Sequence, residues 1–130
     1  MPILIPEDAV VHSSRGLQIR RRTMSRRVVL TVSGRFSFKG RRAILDAIEQ
    51  VYAGGCRSIV LDLSEVSYFD NSMLGMLMMV RRKWHGAGRH VVLAELPENI
   101  RLIVRLAEIP RLIRVHPSVE AALRCTPPAG

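Results

Sequence analysis

Ser58-Ile59-Val60-Leu61-Asp62-Leu63 and, a short step later, Tyr68-Phe69-Asp70-Asn71-Ser72-Met73-Leu74-Gly75-Met76-Leu77-Met78-Met79-Val80 decide the fold of this chain. The first run is β-branched and leucine-rich, the pattern of a strand covered on both faces. Asp70, Asn71 and Ser72 are helix-starting residues, because their side-chain oxygens accept from N–H groups that have no partner inside the helix. Arg81, Arg82 and Lys83 stand where the negative end of the helix dipole favours cations, and Gly86 and Gly88 stop the helix. A central strand therefore feeds a helix, with the Ser72 hydroxyl at an entrance that favours an anion.

At about 100° per residue the helix has two unequal faces. Met73, Leu74, Leu77, Met78, Val80 and Trp84 fall on the broad side and are expected in the core. Ser72, Gly75, Met76, Met79, Arg82 and Lys83 share the other side, where a solvated helix carries Glu, Lys or Gln. Either a neighbouring loop covers these methionines, or they form a stripe for a partner, since methionine adapts its shape at binding surfaces.

Outward from this pair, strands and helices alternate. Leu17–Arg22 reads as an edge strand whose arginines oppose edge-to-edge aggregation. Arg27–Val32 is a second strand, pairing with the first as a hairpin across Thr23-Met24-Ser25, and this is the one antiparallel contact expected. Lys39 to Ala53 is helical through Ala43, Ile44, Ala47, Ile48 and Val51, ending at Gly54-Gly55. Beyond the central pair come a strand at His90–Glu95, a helix opened by Pro97, a strand at Arg111–Val115 and a short helix through Val119, Ala122 and Leu123. The expected fold is α/β: a mostly parallel sheet with one antiparallel edge strand, flanked by helices. Residues 1–16 read as an extension with strand character only at Ala9-Val10-Val11, 17–125 as one domain, and 126–130 as a frayed tail.

Partners of such sheets meet the carboxyl ends of the strands. The loops there are Ser33–Phe38, Ser64–Ser72 and Leu96–Glu98. Of Phe36 and Phe38, one anchors the core and the other lines the rim around Ser72. Phe36, Ser37, Phe38, Tyr68, Asp70, Asn71, Met73, Met76 and Met79 are the candidate partner-binding residues. Asp70 either orients the Ser72 hydroxyl or caps the helix; Asp62 is expected to tie down the segment after it through backbone N–H groups.

The chain has 130 residues, 48% of them hydrophobic and 5% aromatic, so one domain with an aliphatic core is expected. No apolar run reaches the ~18 residues of a membrane span, and Met1–Asp8 lacks the charged start of a signal peptide. Cys56 and Cys125 suggest free thiols in a reducing cytoplasm rather than a disulfide framework. The net charge of +9 fits an acidic protein, an anionic surface or nucleic acid. The arginine pairs carry no aromatic interleaving or helix-turn-helix pattern, so nucleic acid is the least favoured. Four scattered histidines, no G-x-S-x-G elbow and no phosphate loop argue against an enzyme, a metal or a cofactor.

Leu61-Asp62-Leu63-Ser64, then Tyr68-Phe69-Asp70-Asn71-Ser72 and Leu74-Gly75, resembles the signature of STAS domains, the anti-sigma factor antagonists. The likeness runs from about Leu17 to Leu123, and Gly34-Arg35-Phe36-Ser37-Phe38 is similar to a bacterial subgroup used in partner switching. The resemblance implies phosphorylation at Ser72 by a serine kinase that doubles as the anti-sigma factor, with a serine phosphatase to reverse it. Asn71 stands where the family's first serine is usual, Met73 replaces a glycine, and Ser37 replaces an acidic residue. The alternative is a STAS scaffold or sensor subunit that is not phosphorylated and binds an acidic protein.

Overall fold

The computed structural model describes residues 8–24 and 27–125. Six strands form one sheet in the order β1-β2-β3-β4-β5-β6: β1 is Asp8–Ser14, β2 Leu17–Met24, β3 Arg27–Phe36, β4 Ser58–Phe69, β5 His90–Ala94 and β6 Arg114–His116. β3, β4, β5 and β6 pair in parallel. Each parallel step moves one strand in the same direction, so crossovers of one hand stack the connecting helices on one face. These are α1 (Arg41–Ala53), α2 (Met73–Gly86) and α3 (Glu98–Leu106). Their buried side chains join Leu30, Ile59, Leu61, Leu63 and Leu93 in one core. α4 (Val119–Cys125) follows the last strand and covers Val29, Val60 and Val92 on the opposite face. Every apolar position of the run Ile59-Val60-Leu61 is thus buried, as a two-sided strand requires.

The N-terminal segment corrects the expected order. β1 pairs antiparallel with β2, so β1 is the edge and the β2–β3 hairpin is one of two antiparallel pairs. The sheet begins at Asp8, ahead of the Leu17 boundary expected for the domain. Arg15-Gly16 makes the turn, with Gly16 at φ +82°, a conformation that glycine adopts without a Cβ penalty. Residues 1–7 of the extension, the 126–130 tail and Ser25 of the expected turn lie outside the described residues.

β4 is also longer than its apolar run. It stays paired with β3 from Ile59 to Phe69 through two register shifts, and buries Val66 and Phe69 beyond Leu63. A bulged strand advances its inward residue by three rather than two, so Leu63, Val66 and Phe69 all turn inward. At the far edge, Ile109–Arg111 is a 3-10 turn and β6 starts only at Arg114, not at Arg111. Ile109 and Ile113 both reach the core from that turn.

Candidate functional site

The β3 and β4 strands end level with each other, Phe36 opposite Phe69. Their rings stack at 5.1 Å with an interplanar angle of 8°, and the Asp70 N–H donates to the Phe36 carbonyl at 2.9 Å. This joint fixes where the chain leaves β4 and enters α2. The Ser72 N–H then donates to Asp70 Oδ1 at 3.0 Å, closing a side-chain turn one residue before the helix. Asp70 is therefore committed to the local backbone. The Ser72 N–H first, then the Ser72 hydroxyl and the Phe38 N–H, hold its carboxyl below its ordinary pKa against a smaller opposing effect of burial.

Ser72 occupies the N-cap position of α2 yet its side chain makes no capping bond, and the residue is exposed. Its backbone is already helical, at φ −61° and ψ −21°, whereas a capping serine takes an extended conformation that aims the oxygen at the helix N–H groups. The hydroxyl instead faces the Asp70 carboxylate, which it helps to hold in the charged form. Gly75, one turn on, has nothing within 4 Å of the place a Cβ would take. Met79, a further turn along, is 59% exposed. Of the stripe, Gly75 and Met79 lie open while Met76 is buried.

Around it lie two aromatic rings. Tyr68 is 43% exposed and carries the Arg35 guanidinium 4.3 Å from its ring centroid; Phe38 is 61% exposed, with Arg41 at 4.6 Å. Phe36 is the phenylalanine that anchors the core and Phe38 the one at the surface. Asn71 is exposed beside Ser72.

Four of the sequence-derived binding residues are corrected by burial. Phe36 and Met73 are 0% exposed and Met76 is 5% exposed, so none offers a side chain to a visitor. Met76 is buried because α1 covers that flank of α2. Two turns along the same edge, Lys83 Nζ reaches Glu49 Oε1 at 2.6 Å and sits over the Tyr52 ring, both on α1. Leu74 and Met78, expected in the core, are only partly buried. Ser37, the fourth, is buried as well.

The third expected loop stands apart. β5 pairs with β4 only as far as Asp62 opposite Ala94, so Leu96–Glu98 starts level with Asp62 rather than with Phe69. There Asp62 binds the Ser64 N–H at 2.9 Å and the Thr31 hydroxyl at 3.2 Å, the bracing role its position suggested. The described residues hold no cluster of three or more metal-ligating side chains, and no helix among them is long and apolar enough to cross a membrane.

Known proteins share this fold. The sequence model described as "Mlab, STAS domain" matches residues 19–114. A STAS-domain-containing protein of Pseudomonas aeruginosa (strain UCBPP-PA14) is 31% identical over 88 residues, 68% of this chain and 86% of that protein. The fold superposes on the crystal structure of an anti-sigma factor antagonist from Mycobacterium paratuberculosis with a TM-score of 0.79, at 20% identity, covering 89% of this chain and 98% of that one. It also superposes on the anti-sigma factor antagonist SpoIIAA in its unphosphorylated form, with a TM-score of 0.67 at 16% identity, over 82% of this chain and 92% of that one. The phosphorylated form of that Bacillus protein gives 0.63 at 16% identity, over 83% and 96% of the two chains.

Proposed function

The chain belongs to the STAS domain family, and from that premise we propose that it is an anti-sigma factor antagonist-like binding module switched by phosphorylation of Ser72. Its partners are an anti-sigma factor that is also a serine kinase and, for reversal, a serine phosphatase; its setting is the bacterial cytoplasm and its work is transcription regulation. The observation that carries the reading is the Ser72 hydroxyl: exposed, not used for capping, and bordered by exposed Tyr68, Phe38 and Met79.

A serine needed for the fold would spend its hydroxyl on the helix. This one makes no capping bond and faces the Asp70 carboxylate instead. A phosphate there adds about −1.5 to −2 charges and three acceptor oxygens. The domain tolerates it at a helix N-terminus, but a partner pressed against Tyr68, Gly75 and Met79 has to desolvate it, with the Asp70 carboxylate adding repulsion. A hundredfold loss of affinity requires only about 2.8 kcal/mol, well within the cost of burying such a charge.

The test uses the purified chain as bait in extract of its own cells, with phosphosite mass spectrometry on the recovered protein. Wild type and Ser72→Ala are expected to retain one kinase-like partner, Ser72→Asp to lose it about a hundredfold, and the phosphate to map to Ser72. Equal capture by Ser72→Asp and wild type ends the proposal. One observation favours the alternative of a non-phosphorylated scaffold binding an acidic protein: Met73 fills the family's glycine position and is locked in the core directly behind Ser72. A partner retained by all three variants, with no phosphate recovered, selects that reading.

A further inference from the structure

A cleft of about 560 Å³ opens between the β1–β2 turn, the end of β3 and the start of α1. Arg15, Arg35, Lys39 and Arg42 all line it, against one carboxylate, Asp46. None of the four cations has a carboxylate within ion-pair distance among the described residues. Among the described residues the cations Arg20, Lys83, Arg111 and Arg124 are held in ion pairs. Free cations are thus common on this +9 chain, and what sets this group apart is that its members line one hollow.

The helix beside it makes the charge more costly. α1 begins with Arg41 and Arg42 and has no acidic residue in its first turn. Cations there face the positive end of the dipole, where an acidic side chain is the stabilising choice. A second, independent feature lies in the wall. Ser37 is only 7% exposed and lines the cleft, yet its hydroxyl caps nothing and bonds no described residue. Buried polar groups normally have partners, and here the open side is the cleft itself.

We propose that this cleft binds a phosphate-bearing small anion. The phosphoryl oxygens accept from Ser37 and from the guanidinium forks of Arg15 and Arg42, with Lys39 adding a point charge; Arg35 lines the cleft while its guanidinium stays over Tyr68. Arginine's planar fork matches phosphate geometry, and the volume falls in the range of small-ligand sites. The site is separate from Ser72 and does not rest on its phosphorylation, although Ser37 and Phe38 stand between the two.

Sodium pyrophosphate is the probe, titrated into the 130-residue protein while backbone amide shifts are followed by NMR. Saturable shifts are expected at Ser37, Gly40 and Ala43. Citrate at matched ionic strength is expected to bind at least tenfold more weakly. Arg42→Ala and Lys39→Ala, both at exposed positions, are each expected to weaken pyrophosphate binding about tenfold; Arg82→Ala, outside the cleft, is expected to leave it unchanged. Shifts spread evenly over Arg20–Arg22 and Arg81–Arg82, or equal loss in Arg82→Ala, reduce the effect to general attraction by a +9 chain and overturn the site. Equal affinity for citrate overturns the ligand class, and the absence of saturation overturns both.

Discussion

Met73 and Met79 lie on one helix, and the fold assigns them opposite roles. Met73 is 0% exposed in the core, while Met79 is 59% exposed on the stripe of Ser72. Truncating a fully buried methionine to alanine removes its transfer free energy and leaves a cavity, about 2–5 kcal/mol in all. The gain from alanine's helix propensity is a few tenths of a kcal/mol at most, because Met already ranks high. Met73→Ala is therefore expected to lower the melting temperature by about 10 °C for a domain of this size. Met79→Ala removes a side chain that is already mostly in water and should move the melt by about 2 °C or less. Circular dichroism melts, checked by urea midpoints, measure both. If the two variants melt together, the division of α2 into a core face and an open stripe is wrong, and with it the surface on which partner docking was built.

Gly34 has φ +100°, and a Cβ there would stand 2.2 Å from the Gly16 carbonyl oxygen. Gly34→Ala is expected to cost roughly 2–4 kcal/mol in a denaturant titration, combining left-handed strain with a backbone clash; an unchanged midpoint would show that the two chains do not approach so closely. Asp70 is held below its ordinary pKa chiefly by the Ser72 N–H. Its contribution to stability is thus complete above the unfolded value and disappears as pH falls through the lower folded one. Between about pH 5 and about pH 2, wild type should lose stability that Asp70→Asn never had; parallel acid curves for the two proteins contradict this. Asp62→Ala breaks the bonds to Ser64 and Thr31, about 1–2 kcal/mol together given their partial exposure. Hydrogen exchange at the Ser64 amide should accelerate, and an unchanged rate would mean the brace is not holding β4.

Much of this fold could be read from residue types alone, where the physics is local. The run Ile59-Val60-Leu61 has no polar partner residue between its apolar ones, so it had to be covered twice, and it is. α1 announced its buried face through Ile44, Ala47, Ile48 and Val51, the residues it buries. The failures came where a neighbour decides the outcome. Met76 sits near the border of the buried arc, and only the packing of α1 against that flank settles its burial. Phe36 and Phe38 are two apart and chemically identical; the strand's inward register separates them, and the Phe69 stack seals the choice. β1 was read only at Ala9-Val10-Val11 because the rest of Asp8–Ser14 is polar, as an edge strand can be. Ser14-Arg15-Gly16-Leu17 carried the turn signal that would have found it. The three-residue spacing of Leu63, Val66 and Phe69 fits neither a flat strand nor a helix, which is how two bulges conceal a strand.

The continued pairing of β3 with β4 explains why the candidate site is where it is. The two strands run on together past the last β5 pair, Asp62 opposite Ala94, to Phe69 opposite Phe36, and the two bulges add one residue each on β4. That length leaves β3 as the sole strand neighbour of β4 at Phe69. Ser72 thus rises beside one strand end rather than in a groove between several, open to a large visitor but poorly enclosed for a small substrate. Asp70 completes the arrangement. Its carboxyl is held below the ordinary range by the Ser72 N–H and, next, by the Ser72 hydroxyl. A phosphate on that oxygen removes the second of these and sets two anions side by side, which makes it an obstacle to docking rather than a new point of attachment.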